Sequence, residues 1–486
     1  MPLKFYDTYS KKEEIFKPLK DKKVSIYNCG PTVYNYATIG NLRTFVFYDL
    51  FRRSLEYLGY NVTQVMNITD VGHLTMTEAQ KKSAELIEIT DTEEGLDRMQ
   101  KAAAREGLSV KEIAQKYTKS ILGKNGDFSK LNIKTPHHLP RATDHIQEQI
   151  ELIKILEKKG YTYQTKKAVY FNIQKFPRYE ELIGQKLEDM RKGERANTSD
   201  PERKHPADFR LWQLDQPDHP LLWDSPWGKG FPGWHIECSA MSKKYLGQPF
   251  DIHTGGEDHI KVHHPDEIAQ SESAFDKKLA NYWLHASFLT VDGKRMGKSL
   301  GNAYTLADIE NYKFKLKGIE IKSDPLALRY LFLTAQYRTK QDFTWQAFEG
   351  ARINLGKIRD KVKEYAPGYI KEIIPFYKEK FIAALENDLN MPEALAILWK
   401  LIKSDEDKGD KLATILDFDQ VFGLNLEKYT KEISQKLSPQ AEKLIKDREN
   451  ARQDKDWKKA DEIRDKLLKL GLEIKDTDKG TVWKKI

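Results

Sequence analysis

The most constraining stretch of the sequence runs from Val24 to Met66. Val24-Ser25-Ile26-Tyr27-Asn28-Cys29 alternates as a strand and meets Gly30-Pro31, a turn signal. From Asn41 onward, Leu42, Phe45, Val46, Leu50, Phe51, Leu55 and Leu58 recur at helical spacing up to Gly59, and Asn61 to Met66 reads as a second strand. Strand, glycine-bearing turn, helix and strand in that order make a βαβ unit, so the strands are expected to lie parallel with the helix crossing one face. Such a sheet places its ligand crevice beyond the carboxyl ends of its strands, where a helix N-terminus offers N–H groups to an anion. The expected class is α/β, with a Rossmann-like parallel-sheet core.

The rest of the chain divides by pattern. Residues from about Glu78 to Leu131 look helical and charged, and Gln164 to Trp227 mixes short strands with Pro, Asp and Trp in a loop-rich, polar insertion. Apolar, glycine-punctuated α/β character returns at Gly233 and lasts to about Tyr304. Helical spacing resumes from Trp345 to about Glu427, as in Phe381, Ala384, Leu385 and Leu389, and predicts an all-helical bundle. The boundaries expected are 1–125 and 231–304 for the two halves of the core, 126–230 for the insertion, 305–345 for a linker, 346–430 for the bundle and 431–486 for a small C-terminal domain. At about 150 residues per domain, 486 residues fit such a multi-domain chain.

Several classes of function are excluded. Apolar runs such as Leu326 to Leu333 contain Arg329 and fall far short of the ~20 residues a membrane span needs. The N-terminal residues show neither a signal nor a transit pattern, so a cytoplasmic location is expected. Two cysteines, Cys29 and Cys238, cannot build a disulfide framework or a zinc ribbon. The net charge of +8 is compatible with an acidic partner, and residues 431–486 hold 16 Lys and Arg against 12 Asp and Glu, half of that net charge.

Two short motifs carry the chemistry. The first, Tyr36-Ala37-Thr38-Ile39-Gly40-Asn41-Leu42-Arg43, stands where the first strand hands over to the helix. Gly40 lets backbone approach a nucleotide, and Thr38 and Asn41 can donate to phosphate oxygens. The second, Lys294-Arg295-Met296-Gly297-Lys298-Ser299-Leu300-Gly301-Asn302, sets three cations in a glycine-bearing loop after the strand Leu289-Thr290-Val291. Ammonium and guanidinium groups there suit a departing pyrophosphate. A third group is dispersed. Cys29 ends a strand at the crevice, Cys238 lies in a His/Glu-rich segment, and His263 and Glu267 are four residues apart, close enough to share one ion. His235, His253, His259 and His264 crowd the same region, and buried cysteines acting as small hydrophobes are the alternative.

In this order the two motifs resemble the HIGH and KMSKS signatures of class I aminoacyl-tRNA synthetases. The flanking segments are similar to the cysteinyl-tRNA synthetase family: Cys29-Gly30-Pro31-Thr32-Val33-Tyr34, Gly233 through Met241, His263 through Gln270, Arg452 through Asp465 as a charged helix, and Gly480-Thr481-Val482-Trp483. The resemblance implies activation of L-cysteine with ATP and Mg2+, then transfer of cysteine to tRNA(Cys) by a cytoplasmic monomer. It implies zinc on Cys29, Cys238, His263 and Glu267, with His264 as the runner-up to His263. It assigns Thr38, Asn41 and Lys298 to catalysis, and Thr38, Gly40, Asn41, Gly256, Asp258, Arg295 and Lys298 to ATP. Cys29, Trp234 and Cys238 are assigned to the cysteine pocket, and Arg452, Trp457, Asp461 and Asp476 to the anticodon. Thr38 and Asn41 stand where the family signature has histidines, while Arg295 and Gly297 replace Lys and Ser; these changes are expected to keep the donors and charge but to slow activation. A cysteine ligase for a small amine, or a catalytically silent RNA-binding paralogue, are the rival readings.

Overall fold

The computed structural model describes residues 2–72, 97–184, 186, 200–297, 300–316, 319–366, 370–430, 439–477 and 480–485. A four-stranded parallel sheet forms the core. Strand β1 (Lys23–Asn28) is followed by helix α1 (Ile39–Tyr57) and strand β2 (Asn61–Met66); after the insertion come helix α2 (Trp234–Leu246), strand β3 (Phe250–Gly256), helix α3 (His263–Phe275) and strand β4 (Ala280–Ala286). Their order across the sheet is β4-β3-β1-β2. The chain therefore winds outward from β1 on one side and from β3 on the other. The crevice at that reversal lies beyond Asn28 and Gly256, where this topology seats ligands. Cys29 donates its N–H to the Thr254 carbonyl at 3.1 Å, closing the floor between the two strands.

The apolar spacing read from Leu42 to Leu58 describes α1, yet the helix also buries Arg43, Asp49 and Arg53, because the sheet covers one side and the helical domain another. Each buried charge has partners. Asp49 Oδ2 lies 2.7 Å from Arg53 Nε and 2.5 Å from Nη2 of Arg329, which is wholly buried in the helix Pro325–Leu333. Arg329 also donates to the Phe422 carbonyl at 2.6 Å and the Leu131 carbonyl at 3.0 Å. One guanidinium thus joins α1, the segment after Lys130, and the last helix of the bundle, Lys408–Phe422.

The insertion is less polar than its composition suggests. Thr162–Gln164, Ala168–Phe171, Phe209–Gln213 and Phe231–Pro232 form an antiparallel sheet, and Phe171 stacks on Phe209 with centroids 5.0 Å apart. Its charged residues Asp208 and Arg210 are inside because they are paired: Arg210 Nε donates to Tyr170 Oη at 3.0 Å, and Tyr163 Oη donates to Asp208 at 2.6 Å. The insertion core continues into Ile236 and Ala240 of α2 and Ala269 of α3, so it buttresses the two helices that carry candidate ligands.

Of the charged stretch before Leu131, the described part forms the helices Arg98–Glu106, Val110–Leu122 and Asp127–Lys130, whereas 78–96 lie outside the described residues. The bundle comprises Trp345–Tyr365, Pro375–Glu386, Met391–Lys403 and Lys408–Phe422. At the C-terminal end, the single helix expected from Arg452 through Asp465 is instead two helices, Pro439–Gln453 and Trp457–Lys469, followed by the hairpin Leu472–Thr477 and Gly480–Lys485. Lys455 turns the chain with φ of 58°, and the Asp456 side chain caps the new helix by accepting from Lys459 N at 3.1 Å.

Candidate active site

Helix geometry assembles the first part of the site. His263 and Glu267 stand one turn apart at the start of α3, Cys238 lies in the second turn of α2, and Cys29 closes β1. One ligand atom from each of these four lies within 4.8 Å of every other, and all four residues are buried. Cys29, His253, His264 and Glu267 make a second, overlapping set within the same limit. Glu267 is shared: His263 Nε2 lies 2.9 Å from its Oε1 and His253 Nε2 lies 2.9 Å from its Oε2. His264 faces Cys29 Sγ through Nε2 at 3.2 Å, while its Nδ1 meets His285 Nε2 at 2.8 Å. Although it lies close to Glu267, His263 Nε2 has no partner in hydrogen-bonding geometry.

Electrostatics sharpen this picture. Burial pushes the Cys29 thiol well up. Burial acts in the same direction on Cys238, but the neighbouring Cys29 and His263 outweigh it and leave that thiol at about 6. Glu267 is held far below the ordinary carboxylate range despite burial, because His253 and His263 surround it. The same carboxylate raises His263 well above the usual imidazole value against the opposing effect of burial. His264, buried among other histidines, is pushed well down and is neutral. Two cysteine sulfurs, a carboxylate and an imidazole nitrogen without a hydrogen-bond partner, gathered in one buried cluster, fit a borderline-soft cation better than a packed apolar core.

The second part is a cleft with about 220 Å³ of internal space that opens onto Cys29. Thr38, Asn41, Trp234, Gly256 and Asp258 also line it. The Trp234 ring stacks on His263 with centroids 4.0 Å apart, so it joins the cysteine cluster to the cleft. Gly30 is required at the floor, since a Cβ there would run into the Asn67 carbonyl. Thr38 and Asn41 cap α1 reciprocally: Thr38 N donates to Asn41 Oδ1 at 3.0 Å, and Asn41 N donates to Thr38 Oγ1 at 3.4 Å. The two residues that replace the signature histidines therefore fix the helix N-terminus at the cleft.

The second motif meets the first directly. Ile39 N donates to the Tyr304 carbonyl at 2.8 Å, and the Thr38 and Thr305 backbones form a β-bridge. Met296 packs over Gly40, where an added Cβ would sit 3.6 Å from its sulfur. The Asn302 side chain gathers the loop, accepting from Gly297 N at 2.8 Å and donating to the Arg295 carbonyl at 3.0 Å. Arg295 is exposed on that loop; Lys298 and Ser299 lie outside the described residues. Sequence reasoning missed Arg98, Tyr34 and Tyr48, which also line the cleft. Tyr48 donates to the Cys29 carbonyl at 3.1 Å. Its place in the α1 pattern offered no hint of this.

In the C-terminal unit, the Arg452 guanidinium lies over the Trp457 ring at 5.7 Å, Trp457 is 57% exposed, and Asp461 follows one turn later on the same helix. Asp476 is opposite Thr481 in the hairpin. Among the described residues, no helix is long and apolar enough to cross a membrane.

Comparison with known proteins adds sequence and fold relationships. Residues 15–352 match the family described as "tRNA synthetases class I (C) catalytic domain", and residues 434–483 match "Cysteinyl-tRNA ligase anticodon binding domain". A cysteine-tRNA ligase of Treponema denticola is 41% identical with all of both chains covered. Cysteine-tRNA ligase 1 of Burkholderia lata is 42% identical over 99% of this chain and 96% of its own. In fold, the chain is similar to Mycobacterium tuberculosis methionyl-tRNA synthetase bound by methionyl-adenylate, with a TM-score of 0.55 at 14% identity over 86% of this chain and 95% of that one. An Agrobacterium radiobacter LeuRS in ternary complex gives a TM-score of 0.57 at 11% identity, covering 86% and 85%.

Proposed function

The chain belongs to the cysteine-tRNA ligase family of class I aminoacyl-tRNA synthetases, and we propose that its cleft activates L-cysteine, with Cys29, Cys238, His263 and Glu267 holding the zinc ion that selects the thiol. In the first step a cysteine carboxylate oxygen bonds to the ATP α-phosphorus, and the bond to the bridging oxygen breaks, sending pyrophosphate away with the electron pair. In the second, a terminal ribose hydroxyl of the tRNA attacks the carbonyl carbon and AMP departs. Neither step needs a protein nucleophile, so positioning and electrostatics carry the catalysis.

The residues divide this work. The α1 N-terminus, held by the Thr38–Asn41 cap with Gly40 allowing close approach, orients the ATP phosphates. Gly256 and Asp258 shape the adenosine side, and Trp234 walls the amino-acid pocket. Arg295 and Lys298 attend the departing phosphates together with Mg2+. A zinc ion in the four-residue group would supply a borderline-soft partner for the substrate thiolate, a chemistry that the serine hydroxyl does not match. Arg452, Trp457, Asp461 and Asp476 read the anticodon, the exposed Trp457 stacking on an unpaired base. With ATP and tRNA as substrates and no membrane-spanning helix among the described residues, we place the enzyme in the cytoplasm.

The observation that carries this reading is the position of Cys29, at once a member of the buried cluster and a wall of the cleft that holds Thr38 and Asn41. Charging of tRNA(Cys) with radiolabelled cysteine tests it, and charging of another tRNA, or none with zinc-replete protein, would contradict it. A paired prediction separates the two ends of the molecule. Trp457→Ala is expected to reduce aminoacylation kcat/KM by roughly 5–150-fold, from loss of about 1–3 kcal/mol of stacking. Cysteine-dependent pyrophosphate exchange should stay within about twofold. Equal loss in both assays would remove Trp457 from RNA reading.

A further inference from the structure

The adenylation step, on the ligase reading above, must bring a carboxylate and an α-phosphoryl group, both anionic, into bonding distance inside one cleft. Among the described residues that line it, Arg98 is the one permanent cation. Arg295 sits outside on the exposed loop, on the side assigned to the leaving phosphates. We propose that Arg98 binds the oxyanion at the reacting centre, holding the amino-acid carboxylate or the phosphoryl group to which it becomes bonded.

The local structure positions this guanidinium. Arg98 opens the helix Arg98–Glu106, and Asp97 before it is buried, with Oδ1 accepting from Met99 N at 2.6 Å and Oδ2 accepting from Gly72 N at 2.9 Å. The helix start is thereby tied to the chain just after β2. The side chain reaches across to Tyr34, donating from Nη1 to its hydroxyl at 3.1 Å while the guanidinium carbon lies 5.3 Å from the ring centroid. Tyr34 belongs to the Cys29–Tyr34 segment, and the backbone of Val33 in that segment donates to the Thr69 carbonyl at 3.1 Å. The cation is therefore referenced to the segment that carries Cys29, which fixes the thiol end of the substrate. A planar fork backed by an aromatic ring is suited to a carboxylate or phosphoryl oxygen pair. Removal of one preorganised charge-stabilising donor typically costs about 10²–10³ in rate.

Arg98→Met and Arg98→Lys test the role in full-length, zinc-replete protein. Arg98→Met is expected to lower cysteine-dependent pyrophosphate exchange by about 10²–10³-fold, Arg98→Lys to restore part of it as a point charge, and both to keep wild-type zinc content and melting temperature. If the carboxylate is the partner, affinity for cysteine falls while that for cysteinol, which lacks the carboxylate, is unchanged. If the phosphoryl group is the partner, the KM for ATP rises and cysteine affinity without ATP is unchanged. Wild-type exchange in Arg98→Met overturns the proposal, as does a loss accompanied by equal falls in cysteinol affinity, zinc content and melting temperature. Failure of the unaltered protein to catalyse cysteine-dependent exchange instead overturns the ligase reading, and this role with it.

Discussion

Cysteine-dependent pyrophosphate exchange is expected to collapse in Cys238→Ser and in His263→Ala, by more than the roughly 10–100-fold that loss of an outer-shell partner of a metal costs, with zinc per chain falling in parallel. The reasoning rests on the donor set. Serine keeps the size of Cys238 but offers no thiolate, whereas the native thiol is already lowered to about 6 by its neighbours. His263 presents an orphaned Nε2 to the cluster, while His264 is engaged by Cys29 and His285 on its two nitrogens. His264→Ala is therefore expected to retain zinc. Metal analysis by mass spectrometry of the three purified variants reads this directly; zinc lost from His264→Ala and kept in His263→Ala would move the ligand assignment to His264.

The second large effect lies far from the chemistry. Arg329→Met is expected to destabilise the protein by about 3–5 kcal/mol, the scale for breaking one side of a buried ion pair. The substitution leaves Asp49 with Arg53 as its ion-pair partner and the Lys134 N–H as a backbone donor, and strips donors from the Phe422 and Leu131 carbonyls. Burial pushes the Asp49 carboxyl up, but Arg329 and Arg53 outweigh it and hold the pKa below its ordinary value of 3.8. The stability it contributes is thus complete above that unfolded value and is lost as pH falls through the lower folded one, so the variant should lose less on acidification than the wild type. Urea unfolding at neutral and acid pH checks both parts. The exposed pair Lys4–Glu13 serves as contrast: its 2.6 Å contact is expected to contribute about 0–1 kcal/mol. A change at Arg329 no larger than the change on breaking that surface pair would show that the guanidinium does not hold the units together.

The core was legible because its periodicities are undiluted. The alternation from Val24 to Cys29 and the 3.6-residue spacing of α1 follow from burial of the sheet on both faces and of most of the helix, and the βαβ order then places Cys29 at the crevice. The insertion misled for the opposite reason. Asp208 and Arg210 look like loop residues in sequence but are buried as partners of Tyr163 and Tyr170, a pairing that only the antiparallel sheet creates. Likewise, the break between the last two helices has only the N-cap Asp456 to announce it, since the positive φ at Lys455 is not a preference of lysine. The four candidate ligands were nameable through resemblance; their mutual approach depends on α2 and α3 being pressed together by the insertion, which spacing along the chain does not encode. Arg98 was missed because a cation among many in a charged helical stretch carries no mark of the cleft it faces.

On the function proposed above, a metal held by Cys29, Cys238, His263 and Glu267 chooses the substrate. A packing pocket alone separates serine from cysteine by only ~1–3 kcal/mol, or about 10–200-fold. The direct test is the ratio of kcat/KM for cysteine over serine in pyrophosphate exchange, measured on one preparation with zinc bound and again after chelation. The expected result is about one zinc per chain, a ratio above about 10⁴ when it is bound, and loss of cysteine activation when it is removed, with recovery on adding zinc back. An equally high ratio in zinc-free, active protein would contradict it.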